Sequence, residues 1–379
     1  MLNNNQNNIS DVTCEKYPLR SIYFYLTSGC NLRCRHCWIK PEKSKSTSEP
    51  DFLKIDTIRH VLEQGKELGV HSVKLTGGEP MFSPHFVGTL NLIRENKMKL
   101  MLETNATLLT PKIAECISRC ENPFVAVSLD GARADTHDWM RGVKGCYNAA
   151  ISGIKLLTSN QIRPQIIMTI TKKNVGEMTA LVRLAEFLGA GSVKFNIMQP
   201  IGKGEQLYSD EKGLSVEELM AVGSEVSQTL QKLTSLKIQF DQPIAFDPLG
   251  KIFDENQGGC NLCGILGIIS VIPDGSYAMC GIGRSIPELV FGNADNDLLK
   301  DVWKDSRRLR EIRHGLPGKL EGICAGCIMK HMCLGRCVAH NYYRTKRLFG
   351  PFWYCEEANK LGRFPESRKS FKNISTNRR

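Results

Sequence analysis

Three cysteines lie within eight positions near the start of the chain, in the stretch CNLRCRHC. Cys30, Cys34 and Cys37 have the spacing C-x3-C-x2-C, one thiolate short of the four ligands that a closed structural zinc site uses. A [4Fe–4S] cluster held by three thiolates keeps one iron open for another molecule, so the spacing favours a reactive iron–sulfur site. Two other interpretations stay open at this point: a remote fourth cysteine completes a zinc site, or the thiols are incidental.

A second group of cysteines lies in the C-terminal part of the chain. It has eight members, and closed ligation by four thiolates fits two [4Fe–4S] clusters and zinc equally well from spacing alone. Together the two groups use eleven of the fifteen cysteines, so the first group need not borrow a ligand from the second. The eight are Cys260, Cys263, Cys280, Cys324, Cys327, Cys333, Cys337 and Cys355. The four unassigned cysteines, expected to be packing residues or surface thiols, are Cys14, Cys116, Cys120 and Cys146.

Short β-rich runs alternate with longer helical patterns from residue 21 onward. Apolar strands separated by helices predict a parallel sheet covered by helices, which is an α/β fold. We expect a partial (β/α)6 TIM-type barrel followed by a C-terminal cysteine-rich domain. The six predicted strands are 21–29, 72–79, 99–106, 124–131, 164–171 and 192–200. Helices are predicted near 55–68, 84–96, 111–120, 145–158, 175–188 and 215–232, with a β-like segment KIQFDQP after the last of them.

The polar residues of the first half fall at the ends of these strands. Cys30 follows the first strand, Thr76 to Pro80 end the second, Glu103 to Asn105 end the third and Ser128 to Gly131 end the fourth. Active sites of barrels and of open α/β sheets lie at the C-terminal ends of their strands. Four loops are therefore predicted to converge on one site.

Changes of composition along the chain predict five segments. After residue 255 cysteines and glycines dominate and long amphipathic runs stop, which indicates a small domain with little apolar core, held together by metal or clusters. The basic tail permits an acidic partner, but we expect it to be solvated and partly disordered. The segments are an N-terminal stretch (1–20), a core (21–213), a bridging segment (214–254), the cysteine-rich domain (255–356) and the basic tail (357–379).

Composition limits the cellular setting of this 379-residue chain, whose formal net charge is +11. No apolar run approaches the roughly 18 to 20 residues of a membrane span, and the start MLNNNQNNIS lacks the basic and apolar regions of a signal peptide. We therefore expect a soluble, cytoplasmic protein without a membrane partner. Because the cytosol keeps thiols reduced, its cysteines are expected to bind metal or clusters rather than form disulfides.

The first cysteine group and the loop after the second strand together resemble the radical S-adenosylmethionine (SAM) superfamily. The family motif CxxxCxΦC matches Cys30, Cys34 and Cys37, with His36 at the usually aromatic position, and its GGE element matches Gly77, Gly78 and Glu79. The resemblance covers roughly residues 20 to 200. It implies that SAM chelates the open iron and that Glu79, with the two glycines, contacts its methionyl amino group. One-electron cleavage of SAM would then give methionine and a 5′-deoxyadenosyl radical that abstracts hydrogen from a substrate.

Other contacts with SAM are implied less directly by the same resemblance. Related enzymes use a Ser on the fourth strand and a downstream Arg near the ribose or carboxylate, which correspond to Ser128 and Arg141. The end of the sixth strand meets adenine in the family, which makes Asn196 and Met198 candidates. Ser128 could instead cap a turn, and Arg141 could pair with a surface acid.

The C-terminal cysteines resemble the SPASM extension of radical SAM enzymes, over about residues 255 to 356. The resemblance implies two auxiliary [4Fe–4S] clusters. One is held by Cys260, Cys263, Cys280 and Cys337, and the other by Cys324, Cys327, Cys333 and Cys355. Because a fully ligated cluster cannot bind substrate without losing a thiolate, we expect electron transfer from these sites, although a purely structural role is also possible.

Enzymes with this pair of domains mostly modify peptides or proteins oxidatively, so the leading hypothesis is a peptide or protein maturase that forms a crosslink or dehydrogenates a residue. One expected partner is a reduced electron donor such as flavodoxin or ferredoxin. The other is a separate leader-binding protein, since only about 20 residues precede the first strand, too few for a fused leader-binding domain. A general base is sought in Asp241 and Asp247, which lie between the two domains in sequence, although both could be solvent-exposed loop acids.

Two alternatives remain for the substrate and the class of protein. The positive charge is compatible with a tetrapyrrole or another carboxylate-rich small molecule. CxxC pairs and the basic tail are compatible with a non-enzymatic zinc protein that associates with nucleic acid. The second alternative leaves the Gly-Gly-Glu loop and the group of three cysteines unexplained.

Overall fold

The computed structural model describes residues 17–39, 51–252 and 264–370, and its secondary structure is one mostly parallel sheet with helices. The strands are β1 (Ser21–Tyr25), β2 (Ser72–Thr76), β3 (Lys99–Thr104), β4 (Phe124–Ser128), β5 (Gln165–Ile170), β6 (Ser192–Ile197), β7 (Lys237–Phe240), β8 (Ile268–Val271), β9 (Ser276–Ala278) and β10 (Val290–Asn293). The helices of the first half are α1 (Ile55–Glu67), α2 (Phe86–Glu95), α3 (Pro111–Ser118), α4 (Ala134–Arg141), α5 (Cys146–Ser159), α6 (Met178–Phe187), α7 (Gly204–Ser209), α8 (Val216–Gln228) and α9 (Leu249–Ile252). Those of the second half are α10 (Leu299–Asp305), α11 (Arg307–Gly315), α12 (Gly322–Ala325), α13 (Lys330–Cys333), α14 (Val338–Thr345) and α15 (Trp353–Lys360).

The sheet has the strand order β10-β9-β8-β1-β2-β3-β4-β5-β6-β7. Neighbouring strands from β8 to β7 pair in parallel, and β9 and β10 add an antiparallel edge. Residues on or directly after all eight parallel strands line one cavity, so the sheet curves around it. The prediction of an α/β fold with a mostly parallel sheet is confirmed.

Alternation along the strands separates the apolar core from the cavity. On β1, Ile22 and Phe24 are fully buried in the core, whereas Tyr23 and Tyr25 line the cavity on the other face. The helices cover the face that contains Ile22 and Phe24. Helix α1 packs so closely on this face that a Cβ added to Gly65 would lie only 2.7 Å from the side chain of Ile22. The period of two in a strand therefore places the residues that can do chemistry on the inner face.

Two polar residues before helices play different parts. Thr110 caps α3, which has a proline at its start, since the Oγ1 of Thr110 accepts a hydrogen bond from the backbone N–H of Ile113 at 3.3 Å. Asn174 makes no side-chain cap. Its side chain is fully buried and donates instead to the carbonyl oxygens of Asp130 and Thr169. Asn174 thus ties the ends of β4 and β5 together.

The expectation that the C-terminal region has little apolar core is wrong. Strand β8 pairs in parallel with β1, so this region continues the main sheet. Tyr277, Trp303 and Tyr354 are fully buried and belong to the same apolar cluster as the first half. Apolar burial as well as ligation therefore holds the cysteine-rich region.

Part of the basic tail is folded, contrary to the expected solvated chain. Helix α15 continues to Lys360, and Arg368 is buried and donates a hydrogen bond to the backbone oxygen of Asp247 at 3.0 Å. Cys327 and Lys369 form an antiparallel bridge. The chain between residues 360 and 370 packs against the cysteine-rich region, and the end of the tail lies outside the described residues.

None of the helices within the described parts of the chain combines the length and apolar composition needed to cross a bilayer.

Candidate active site

One cavity of about 480 Å³ lies at the C-terminal ends of the parallel strands and contains most of the predicted site residues. Cys30, Cys34 and Cys37 line it together, as does Cys280 from the C-terminal region. The structure therefore brings the first cysteine group to the same cavity as one predicted ligand of an auxiliary cluster. The other predicted residues on this cavity are His36, Gly77, Gly78, Glu79, Ser128, Arg141, Asn196 and Asp241.

The two glycines of the Gly-Gly-Glu loop pack against the backbone that leads into the first cysteine group. The backbone N–H of Gly78 donates to the oxygen of Thr27 at 2.9 Å, and that of Glu79 donates to the oxygen of Gly29 at 3.0 Å. A Cβ on Gly78 would overlap the carbonyl oxygen of Gly29, and Gly77 has φ +136°. Only glycine fits both positions, because any side chain would push the cysteine loop away.

Glu79 is a buried carboxylate held by three donors. Its Oε1 accepts from Thr104 Oγ1 at 2.7 Å and from the N–H of Met81 at 3.4 Å, while Oε2 accepts from the N–H of Asn105 at 2.8 Å. Burial raises its pKa to about 7, although these hydrogen bonds oppose the shift. A cationic group of a ligand would stabilise the ionised form, so Glu79 suits an ammonium group.

A second buried carboxylate, Asp130, organises the opposite side of the cysteine loop. Its Oδ2 lies 2.8 Å from Nε of Arg141 and 3.5 Å from Nε2 of His36, and its Oδ1 accepts from the N–H of Thr169 at 2.8 Å. Burial alone would raise the pKa of Asp130, but Arg141 and the two nearby histidines outweigh burial and hold it below its usual range. Sequence reasoning placed Asp130 only in a converging loop and did not single it out.

Arg141 connects this carboxylate to the cysteines. Its Nη1 lies 3.6 Å from the sulfur of Cys34, and its backbone oxygen accepts from the N–H of Arg33 at 3.0 Å. Arg141 does pair with an acid, as one alternative held, but the acid is buried rather than on the surface. The last turn of α4 therefore fixes the loop between Cys30 and Cys37.

The chemistry of this donor set fits a three-thiolate cluster. Burial raises the pKa of the Cys30 thiol to about 12, so the thiolate needs a nearby cation such as iron. Burial lowers the pKa of His36 to about 4 despite the attraction of Asp130, so the imidazole is neutral at neutral pH. A neutral ring beside the cavity suits an uncharged aromatic ligand group, as expected for adenine.

The remaining predicted SAM contacts differ in their environments. Ser128 and Asn196 line the cavity, and Oδ1 of Asn196 is buried without a hydrogen-bond partner among the described residues. Met198 is buried in the protein and is not part of the cavity wall. Ser128 and Asn196 remain predicted SAM contacts, and Asn196 has an acceptor to offer.

The two candidate bases lie in different places. Asp241 lines the cavity but is paired: Oδ1 lies 2.7 Å from Nη2 of Arg336 and 3.8 Å from Nζ of Lys194. Burial alone would raise the pKa of Asp241, yet these two cations hold it below its usual range. Asp247 accepts a hydrogen bond from Gln242 at 2.8 Å and does not line the cavity. A carboxylate with a lowered pKa is a weak proton acceptor, so the role of Asp241 as general base stays a prediction that its ion pairs disfavour.

The other cysteines of the C-terminal region form two sets. One set, Cys324, Cys327, Cys333 and Cys355, surrounds a small internal cavity. The other set contains Cys280 and Cys337. Burial raises the pKa of Cys280 most, and the charge of Cys337 is the next largest influence in the same direction. Which of these cysteines bind which auxiliary cluster stays a prediction. Cys260 and Cys263, and the unassigned Cys14, lie outside the described residues.

The cavity wall also contains Tyr23, Tyr25 and Lys74, which sequence reasoning missed, next to Thr76 and Glu103, which it placed at strand ends without a role. On the inner face, Lys74 forms an ion pair with Glu103 and lies 4.8 Å from the centre of the Tyr23 ring. Thr76 donates to Glu103 at 3.2 Å, and Tyr25 completes this wall next to Cys280. The signal was present, because Tyr23, Tyr25, Lys74 and Thr76 alternate with apolar residues in their strands.

Two family models match the chain. The model of the radical SAM superfamily matches residues 24–185, and that of the SPASM iron–sulfur cluster-binding domain matches residues 260–328. Among proteins of known function, the chain is 27% identical to the AdoMet-dependent heme synthase of Methanosarcina barkeri, over 89% of this chain and 96% of that protein. It is 26% identical to the mycofactocin maturase MftC of Mycobacterium tuberculosis, over 88% of this chain and 82% of that protein.

A solved structure shares the fold. Streptococcus suis SuiB bound to the precursor peptide SuiA superposes with a TM-score of 0.72 and 18% identity, covering 94% of this chain and 84% of that chain.

The radical SAM domain binds a [4Fe–4S] cluster and SAM, and the SPASM domain binds auxiliary iron–sulfur clusters. The cofactors expected from the sequence are therefore confirmed.

Proposed function

Because the chain belongs to the radical SAM superfamily and carries a SPASM domain, we propose that it modifies a peptide or protein oxidatively, by crosslinking or dehydrogenating one residue. The family supports an enzyme that cleaves SAM reductively. The peptide substrate is the finer part of the proposal, supported by the relative MftC, which is a maturase.

When bound, the reduced cluster at Cys30, Cys34 and Cys37 supplies the electron that converts SAM into methionine and a 5′-deoxyadenosyl radical. Glu79 binds the methionyl ammonium of SAM through a carboxylate that its three donors hold in place. Arg141 and Asp130 fix the cysteine loop, and neutral His36 packs beside adenine. These residues position SAM, and the enclosing strands limit access of water.

The position of Cys280 is the observation that supports an oxidative reaction. This predicted ligand lines the same cavity as the three cysteines of the SAM site. A substrate held there would lie near both Cys280 and the cysteines of the SAM site, and the auxiliary cluster that Cys280 would help to hold could accept the electron released when the substrate is oxidised. Removal of one hydrogen atom, one electron and one proton amounts to loss of two hydrogens.

The lining of the cavity suits the side chain of a peptide residue. Tyr23, Tyr25 and Trp38 give the cavity an apolar wall, and its volume of about 480 Å³ is within the range of roughly 300 to 1,000 Å³ that is usual for ligand pockets.

Incubation of the anaerobically purified enzyme with SAM, a reductant and candidate peptides tests this function. Peptides encoded beside the gene for this chain are the first candidates. The expected result is loss of two hydrogens from one peptide, together with 5′-deoxyadenosine, in the wild type but not in Cys30→Ala. Reduced flavodoxin or ferredoxin is proposed as the electron donor, and adding a separate leader-binding protein should improve turnover.

A tetrapyrrole substrate is the second candidate, because the heme synthase of Methanosarcina barkeri is similar over most of both chains. The cationic side chains Lys74 and Arg141 on the cavity could meet its carboxylates, although both are paired with acids. Titration with iron coproporphyrin, followed by the Soret band, separates the two candidates. Saturable binding that Lys74→Gln weakens, with no peptide modified, would favour the tetrapyrrole.

A further inference from the structure

Arg336 lies between two predicted cluster ligands, three residues after Cys333 and one before Cys337. Its side chain is buried, and both terminal nitrogens are fixed. Nη1 donates to the backbone oxygen of Gln242 at 2.9 Å, and Nη2 donates to that of Asp241 at 2.8 Å. Nη2 also lies 2.7 Å from the Asp241 carboxylate. The guanidinium therefore has one orientation, set by the chain that follows β7.

The backbone places Arg336 beside both sets of C-terminal cysteines. Arg336 directly precedes Cys337 in the chain, and its backbone N–H donates to the oxygen of Cys333 at 2.8 Å. Its guanidinium carbon lies 5.4 Å from the centre of the ring of Phe352, which is three residues before Cys355. Cys333 and Cys355 belong to one set and Cys337 to the other, so one buried cation lies within electrostatic reach of both.

The partner of this cation belongs to the active-site cavity. Asp241 lines that cavity, and its carboxylate offsets the charge of Arg336. Lys194 lies 3.8 Å from the same carboxylate on the other side, so Asp241 is shared between two cations. Since Arg336 is also anchored to two backbone oxygens, loss of the carboxylate would leave the guanidinium in place.

From this arrangement we propose that the buried charge of Arg336 raises the reduction potentials of the auxiliary clusters. We propose also that the Asp241 carboxylate, on the cavity wall, reduces this effect. An added electron makes a cluster more negative, and a buried cation stabilises the reduced form because interior charges are weakly screened. The inference rests on the electron-transfer role proposed above, since a higher potential makes a cluster a better acceptor. It gives Asp241 a role other than proton transfer.

Redox titration of the anaerobically purified holoenzyme, followed by electron paramagnetic resonance, tests the inference. The signal of the SAM-binding cluster is recognised by its change on addition of SAM. In Arg336→Gln the oxidised-to-reduced ratio of an auxiliary cluster at fixed potential should rise at least about tenfold, a negative shift of about 59 mV for one electron. In Asp241→Asn the potential should shift the other way. Arg336→Lys, which keeps the charge, should lie between wild type and Arg336→Gln.

A matched control is Arg313→Gln, which removes another buried arginine that stacks on Trp303 at 4.0 Å and donates to its backbone oxygen at 2.6 Å. Its potentials should equal those of wild type. Unchanged potentials in Arg336→Gln with full iron content would overturn the inference. If that variant loses its clusters, Asp241→Asn decides alone, and an unchanged or more negative potential there rejects it. No substrate is needed, so failure of the peptide assay leaves this test intact.

Discussion

The Asp130–Arg141 pair gives the sharpest single prediction about how the SAM site is held. Asp130→Asn keeps an acceptor for the N–H of Thr169 but removes the charge that faces Arg141 at 2.8 Å. The side chain of Asp130 is fully buried and that of Arg141 is 9% exposed, so the arginine would be left as an uncompensated buried charge. Breaking such a pair costs about 3 to 5 kcal/mol.

The matched control is Asp135→Asn, which makes the same substitution five residues along the chain. Asp135 pairs with Arg133 at 3.5 Å, and both side chains are about two-thirds exposed. Surface pairs of this kind contribute about 0 to 1 kcal/mol. The difference between the two variants therefore isolates the effect of burial.

Denaturant titration of both variants measures the free energy of unfolding, and 5′-deoxyadenosine formation measures the effect on the site. Asp130→Asn should lose about 3 to 5 kcal/mol and most SAM cleavage, because Arg141 contacts Cys34 and the adjacent loop. The control should stay close to wild type in both assays. Equal behaviour of the two variants would refute the idea that Asp130 holds the cysteine loop.

Three further predictions concern the SAM site and the auxiliary clusters. Because burial raises the pKa of Glu79 to about 7, protonation below that value removes its charge, so SAM should bind roughly tenfold more weakly at about pH 6 than at about pH 8. Equilibrium dialysis checks this, and the pH dependence should disappear in Glu79→Gln. Gly78→Ala should lose most SAM cleavage because its Cβ overlaps Gly29, whereas Gly176→Ala, where the Cβ meets nothing within 4 Å, should not. Cys355→Ala should lose about four irons per chain yet still form 5′-deoxyadenosine; loss of that product together with the iron would contradict separate roles for the clusters.

The sequence patterns predicted the cofactor-binding motifs better than the residues that hold these motifs in place. The spacing of Cys30, Cys34 and Cys37 and the Gly-Gly-Glu loop are local, so their meaning is readable without a fold. The six strands were also readable, since each is a short apolar run with clear breaks. Asp130 was not, because one acid in a loop has no signature until β4 and α4 bring it to Arg141 and His36.

Contacts between distant segments account for the other misses. The parallel pairing of β8 with β1 joins segments more than 200 residues apart in the chain, and it merges the C-terminal region into the main core. The pairing of Asp241 with Arg336 also crosses between the two halves. Each depends on tertiary packing, which a periodicity of apolar residues does not encode.

Reductive cleavage of SAM by the anaerobically purified protein tests the central claim most directly. With dithionite and SAM, the wild type should form 5′-deoxyadenosine and methionine, and Cys30→Ala, Cys34→Ala and Cys37→Ala should form neither while keeping the iron of the auxiliary clusters. Formation of 5′-deoxyadenosine by any of the three variants, or a wild-type protein that contains zinc and no iron, would contradict the account.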